Sequence, residues 1–274
     1  MVSPLLKCLS QKVKEHQKRQ RCQWIQEQPS PSDLEWLKSQ VDAEGQFDTL
    51  GCKRDVWQGV LDNTFFIDCR TCRYGKVIAL LPNGYTSVPW KTWALIFELF
   101  SGTLQSPIRL LWFASPLKRL LPPVGQQVGP EHVNGGYTIP CAPDTIVVYR
   151  EEEATRVLIH ELYHASCTDR DLPIEYKEAE TESWAELALV AIASKGNLKK
   201  AEDFWKKQAT WIANSNKKLQ LLYGVTDPSQ YAWRYTVGRE QALNRLGFTL
   251  PEGRVNSRTM SSRLTLPIFD GELV

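Results

Sequence analysis

The sequence predicts an α+β fold, and three observations carry that prediction. Apolar runs of strand length are concentrated before residue 150. Longer segments with helical spacing dominate from about residue 152 onward. A helix carrying two of the four histidines, His160 and His164, directly follows a pair of strand candidates. Strands first and helices after is the order of an α+β chain.

Residues 3–28 read as a basic helix with a polar majority. SPSD at 30–33 supplies a stop, a proline and an N-cap for the helix LEWLKSQV. Residues 1–45 are therefore expected to form a basic helical arm or cap, with 46–274 as the main domain. TFFIDC and GKVIALL flank RTCRYG and predict a β-hairpin. WKTWALIFELF, 90–100, has helical spacing, and PIRLLWFA, 107–114, is a continuous apolar run of strand length. After a proline-rich loop, NGGYTIP and TIVVYR predict two more strands separated by CAPD. EEATRVLIHELYHA follows as a helix, its acids expected in the first turn where they complement the helix dipole. A second long helix is expected from Ile174 to Ser194, ended by Gly196 and Asn197. Helical patterns continue through 199–223 and near 229–245, and the last 25 residues are expected to be an irregular wrap or tail.

At 274 residues the chain can bury a core without disulfides or metal as staples. No run approaches the roughly 18 apolar residues of a membrane helix. The start, MVSPLLKCLSQK, lacks the apolar centre of a secretory signal. Seven cysteines, an odd number without framework spacing, point to a reducing intracellular compartment: cytoplasm, nucleus, or a particle assembled there. A mitochondrial presequence fits less well, because the stretch holds Glu15 and more lysine than arginine. Ten tryptophans are expected to serve packing.

Charge is unevenly spread. Residues 1–32 hold six bases and two acids, whereas 151–190 hold eleven acids and three bases. Beyond Lys218 every basic residue but histidine is arginine, which fits guanidinium forks pairing with the acidic segment. The basic N-terminal arm reads first as a solvated extension and second as a surface for an acidic partner or nucleic acid.

The chemistry concentrates in VLIHELYHASCT, 157–168. Residues four apart on a helix share a face, so His160 and His164 can present two imidazoles to one metal. With His160 at 0°, Leu158, Leu162 and Ala165 fall at roughly 140–200°, giving an apolar back. Glu161 lies about 100° round, beside the metal position without ligating it.

His160, Glu161 and His164 match the H-E-x-x-H motif, and over about 145–195 the sequence resembles the zincin metallopeptidases. The resemblance implies a mixed sheet with an edge strand beside a cleft, a zinc-bearing helix at its floor, and Glu161 as general base. The metzincin extension is absent, because ASCTDR contains neither glycine nor histidine. The gluzincin form draws its third ligand from the next helix. There EAETESWA, 178–185, is similar to E-x-x-A-D-x-F-A, with Thr181 in place of the alanine. In that register Glu178 binds zinc and Glu182 supports it. A register one turn later makes Glu182 the ligand and Glu186 the support. On the wheel Glu178 is the acid most embedded in the apolar arc of Ala185, Leu189 and Ile192, and Glu180 stands at the opposite edge. Both Glu178 and Glu182 stay open as metal ligands.

Other constellations are weaker. Cys69 and Cys72 in CRTC form half a zinc knuckle that Cys22 and Cys52 could complete, although no second C-x-x-C exists. His132, in the loop before the first of the two later strands, could stabilise an oxyanion or bind a substrate end. Tyr231 and Tyr235 lie where zincins often place a transition-state donor. The sequence thus points to a zinc-dependent peptidase with Zn²⁺ as cofactor and a peptide or protein as substrate. Two other readings stand beside it: a zincin-fold scaffold in an organellar or viral assembly, and a DNA-associated metalloprotease.

Overall fold

The computed structural model describes residues 3–255 except 20, 21, 44, 46, 105, 169 and 170. Arg21 of the expected basic arm and residues 256–274 of the expected tail lie outside the described residues. The described residues hold eight α-helices and one six-stranded mixed sheet, ordered β1-β2-β3-β4-β6-β5. This agrees with the α+β class.

The first helix, α1 (Pro4–Gln17), begins with proline at its first turn, where no backbone donor is lost. It buries Leu6, Ser10 and Val13 and leaves its lysines exposed. The expected helix to residue 28 stops at 17, and β1 (Ile25–Glu27) follows as a strand. Helix α2 (Pro31–Asp42) begins three residues before the expected LEWLKSQV, and its cap is Ser30, the first residue of SPSD. The Ser30 hydroxyl accepts the Asp33 N–H at 3.2 Å, and the Ser30 N–H donates to Asp33 Oδ2 at 3.0 Å. Helix α3 (Cys52–Leu61) was not foreseen. The Asp48 carboxylate starts it by accepting the N–H groups of Cys52 and Lys53 at 2.9 and 3.0 Å.

The predicted hairpin is present as β2 (Phe65–Cys72) and β3 (Gly75–Pro82), with Cys72 opposite Gly75. Helix α4 (Trp90–Ser101) carries the chain over to β4 (Ile108–Phe113), parallel to β3. The later strands are shorter than expected: β5 (Gly136–Tyr137) forms the sheet edge, antiparallel to β6 (Ile146–Val148), which runs parallel to β4. Val77 to Leu81 and Leu110 to Phe113 are buried, as inner strands covered on both faces must be. Leu37 and Val41 of α2 and Val56 of α3 close one face over Ile78, Leu80, Leu111 and Phe113.

By contact density the chain forms two compact units. One holds the sheet, α2–α4, and α5 (Ala154–Ala165). The other holds α1, the 119–133 segment, α6 (Ile174–Ala193), α7 (Leu198–Tyr223) and α8 (Val237–Arg245). Within the helical unit, Gly196 ends α6 at φ +69°, and a Cβ there would lie 2.7 Å from Ser10 O and Lys14 N of α1. Only glycine permits that turn at that distance.

Two cysteines depart from the expectation of free thiols. Cys141, in the β5–β6 loop, and Cys167, just past α5, form a disulfide. Both the Cys141 and Cys167 N–H groups donate to His164 O, at 3.1 and 3.2 Å, so the loop returns to the end of α5 and brings the sulfurs together. Cys69 and Cys72, three apart on β2, point to opposite sheet faces. Cys52 and Cys69 are instead buried in the core beneath α2. Among the described residues no thiolate group of knuckle type is assembled. No helix of the described residues is long and apolar enough to cross a membrane.

Asp33 ties α2 to the sheet. Its carboxylate takes Lys76 Nζ of β3 and Arg109 Nη2 of β4, each at 2.9 Å. Burial alone would raise its pKa, but hydrogen bonds from Lys76 and Ser30 win and hold it at about 2. A lowered folded-state pKa adds stability above the unfolded value near 3.9, lost as pH falls toward 2. Asp33→Asn is therefore expected to cost about 1–2 kcal/mol at pH 6 and almost nothing at pH 2. Urea midpoints across this range check it; a constant offset between variant and wild type would refute the assignment.

Candidate metal centre

Helix α5 brings the two histidines onto one face. The expected acids of its first turn stand just ahead of it, and Glu153 precedes the helix with φ +55°. Trp93 Nε1 of α4 donates to Thr155 Oγ1 at 2.9 Å and pins the first turn. Leu158, Leu162 and Ala165 form the buried apolar back. His160 Nε2 and His164 Nε2 then lie 3.0 Å apart, with the rings at 76°. The disulfide-linked loop holds the carbonyl of the second histidine, as described above.

Glu161, next on α5, is buried. It lies beside the edge strand: a Cβ on Gly136 would come within 3.4 Å of Glu161 Oε1 and 2.7 Å of Val157 and the Val147 carbonyl. A larger residue at 136 would push β5 away from the glutamate. The next strand residue, Tyr137, is anchored on its far side. Its hydroxyl donates to Gln40 Oε1 and accepts from Lys53 Nζ, both at 2.9 Å. Burial, with Asp48 and Glu161 nearby, pushes this phenol well above its ordinary range. It therefore stays protonated.

Helix α6 carries the candidate third ligands. Glu178 Oε2 accepts a hydrogen bond from Tyr235 Oη at 3.1 Å, and Tyr231 Oη lies 3.5 Å from Tyr235 Oη. Burial first, then the Glu178 charge, raises the Tyr235 phenol far above its usual value, so it remains a donor. Glu186, fully buried, accepts Arg239 Nη1 at 3.2 Å and Gln208 Nε2 at 2.7 Å. Glu182 Oε2 lies 3.7 Å from the same Arg239 nitrogen. Glu180 is bound by Arg245 at 2.6 Å. The arginine-only C-terminal region thus pairs with the acidic segment as its composition suggests.

One group of three possible ligands emerges among the described residues: His160, His164 and Glu178, whose ligand atoms all lie within 4.8 Å of one another. Glu182 is not part of it. His132 is not part of it either; its Nδ1 accepts the Gly129 N–H at 3.0 Å and so caps its own short turn. Tyr231 Oη lies beside Tyr235 Oη, the hydroxyl that donates to the site's acid. Sequence reasoning read Arg239 only as one of the C-terminal arginines and gave no role to Lys53 or the Cys141–Cys167 pair. The arginine bias was a usable signal for the first; the others depend on pairings across the fold.

The donor set suits zinc. Two nitrogens bound to one tetrahedral zinc at about 2.0–2.1 Å stand about 3.3 Å apart, close to the observed pair, and a carboxylate is a common third ligand. No family model, curated protein or solved structure matches this chain.

Three variants separate the roles of the α6 acids and their partners. Glu178→Gln and Tyr235→Phe are expected to weaken zinc binding, the tyrosine by about 10–100-fold as for a group that orients a ligand. Arg239→Ala is expected instead to lower folding stability by about 3–5 kcal/mol, because it strands buried carboxylates. Competition titration with a zinc chelator and urea unfolding read the two effects. Equal zinc affinity in wild type and Glu178→Gln would refute the assignment of the third ligand.

Proposed function

We propose that the chain is a zinc-dependent peptidase with a zincin-like core of gluzincin type. The observation that carries this reading is the His160–His164–Glu178 group with Glu161 between the histidines in sequence and beside the edge strand. His160 and His164 would hold the zinc as neutral imidazoles, and Glu178 would supply the negative charge. When bound in such a set, zinc polarises a carbonyl and makes a coordinated water acidic near neutral pH.

The chain's own residues do the rest. Glu161, buried and one residue from a ligand, takes the proton of the attacking water and returns it to the leaving amine. Strand β5 is an edge, so its outer backbone groups can pair with an extended peptide. Gly136 keeps that strand close to Glu161. The Lys53–Tyr137–Gln40 bonds fix its position. Tyr235 holds the Glu178 carboxylate in place.

The test is digestion of an unbiased peptide library by zinc-supplemented protein. Wild type is expected to cleave. Glu161→Gln is expected to keep one zinc per chain and lose about 10²–10⁴-fold in rate, the range for a general base. A zinc-loaded wild type that cleaves nothing, or a Glu161→Gln variant as fast as wild type, would overturn the proposal.

A further inference from the structure

We propose that Cys22 and Cys72 form a dithiol which a low-molecular-weight disulfide, such as glutathione disulfide, oxidises reversibly to an intramolecular disulfide. The inference stands apart from the metal centre. Strand β1 pairs with β2 in the register Ile25↔Thr71, so the residues just before β1 run back along the end of β2. Cys72 is the last residue of β2. Cys22 lies three residues before β1, and its Sγ accepts the N–H of Arg73 at 3.2 Å. The Cys22 thiol is also among the neighbours that raise the Cys72 pKa. Both are free thiols and both are partly exposed, so a small oxidant can reach them. The neighbouring thiols differ: Cys69 faces the core on the other side of β2, and Cys52 is buried with it.

The exchange balances in two steps. The Cys22 thiolate attacks one sulfur of glutathione disulfide, forming a mixed disulfide and releasing one glutathione thiolate. Cys72 then gives its proton to solvent and attacks Cys22 Sγ, releasing the second glutathione. The protein loses two electrons and the glutathione disulfide gains them. The order follows from the surroundings. The Arg73 N–H lies 3.2 Å from Cys22 Sγ, next in the chain to Cys72, and so holds the two sulfurs' segments together. Burial raises the Cys72 thiol above its ordinary range, so it reacts second, once the mixed disulfide is held against it. The product would staple the segment entering β1 to the far end of β2, at the sheet edge opposite β5.

The test uses the full-length folded protein with its thiols reduced. After incubation with glutathione disulfide, remaining thiols are alkylated, the protein is cut with trypsin, and the peptides are read by mass spectrometry. Trypsin cuts after Arg70, so Cys69 and Cys72 fall on separate peptides. The expected product joins peptide 22–38 to peptide 71–73, both thiols are lost to alkylation together, and dithiothreitol restores both. In Cys72→Ser, Cys22 is expected to retain glutathione as a mixed disulfide. The proposal is overturned if wild-type Cys22 and Cys72 alkylate freely, end as two separate glutathione adducts, or link to other cysteines. Because Cys22 and Cys72 lie outside the hydrophobic core, circular dichroism of both serine variants is expected to match wild type; a variant that fails to fold leaves the wild-type peptide map as the deciding result.

Discussion

A carboxylate taken out of water must be met by a charge or by donors, and helix α6 sets three of them in one row. Glu178, Glu182 and Glu186 stand one turn apart, with Glu182 and Glu186 buried. The helical unit is arranged around meeting them. Arg239 of α8 sits against the second and third, Gln208 of α7 completes Glu186, and Ser183 Oγ donates to the Arg239 carbonyl at 3.1 Å. Glycine at 238 lets Trp233 pack where any Cβ would collide with its ring at 2.5 Å. The first acid of the row is treated differently. Glu178 receives the neutral hydroxyl of Tyr235. That hydroxyl orients the Glu178 carboxylate.

This division of labour bears on a question that helical periodicity left open. In sequence, Glu178 and Glu182 are both plausible third ligands, because a helix repeats its face every turn and the wheel separates them by only about 40°. The partner that tells them apart is Arg239, more than fifty residues away. Its guanidinium lies near Glu182 and Glu186, and the group able to hold a metal contains Glu178 alone of the three.

Local order was legible for local reasons. The spacing of HELYH, a helix start within SPSD, the β2–β3 hairpin and the long helices of residues 174–223 follow from interactions within a few residues. Where the reading failed, a distant contact had prevailed. The basic segment after residue 17 leaves the helix because β2 offers an unpaired edge to residues 25–27. An odd cysteine count concealed the Cys141–Cys167 pair, since the sulfurs meet only after the β5–β6 loop folds back on α5. CRTC looked like a metal knuckle in one dimension, but a strand sends residues three apart to opposite faces. The residues that hold the edge strand, Lys53 and Gln40, carried no sequence signal, because they act on it across the fold, through Tyr137.

The central claim is that two imidazoles and one carboxylate of this chain form a zinc site. X-ray absorption at the zinc edge, on protein loaded with one equivalent of zinc, tests it most directly. The account predicts a first shell of nitrogen and oxygen at about 2.0–2.1 Å with imidazole scattering from two histidines, lost in His160→Ala. Sulfur scattering at about 2.3 Å would place the zinc on the cysteines instead, and that result, or a shell unchanged in His160→Ala, would contradict the account.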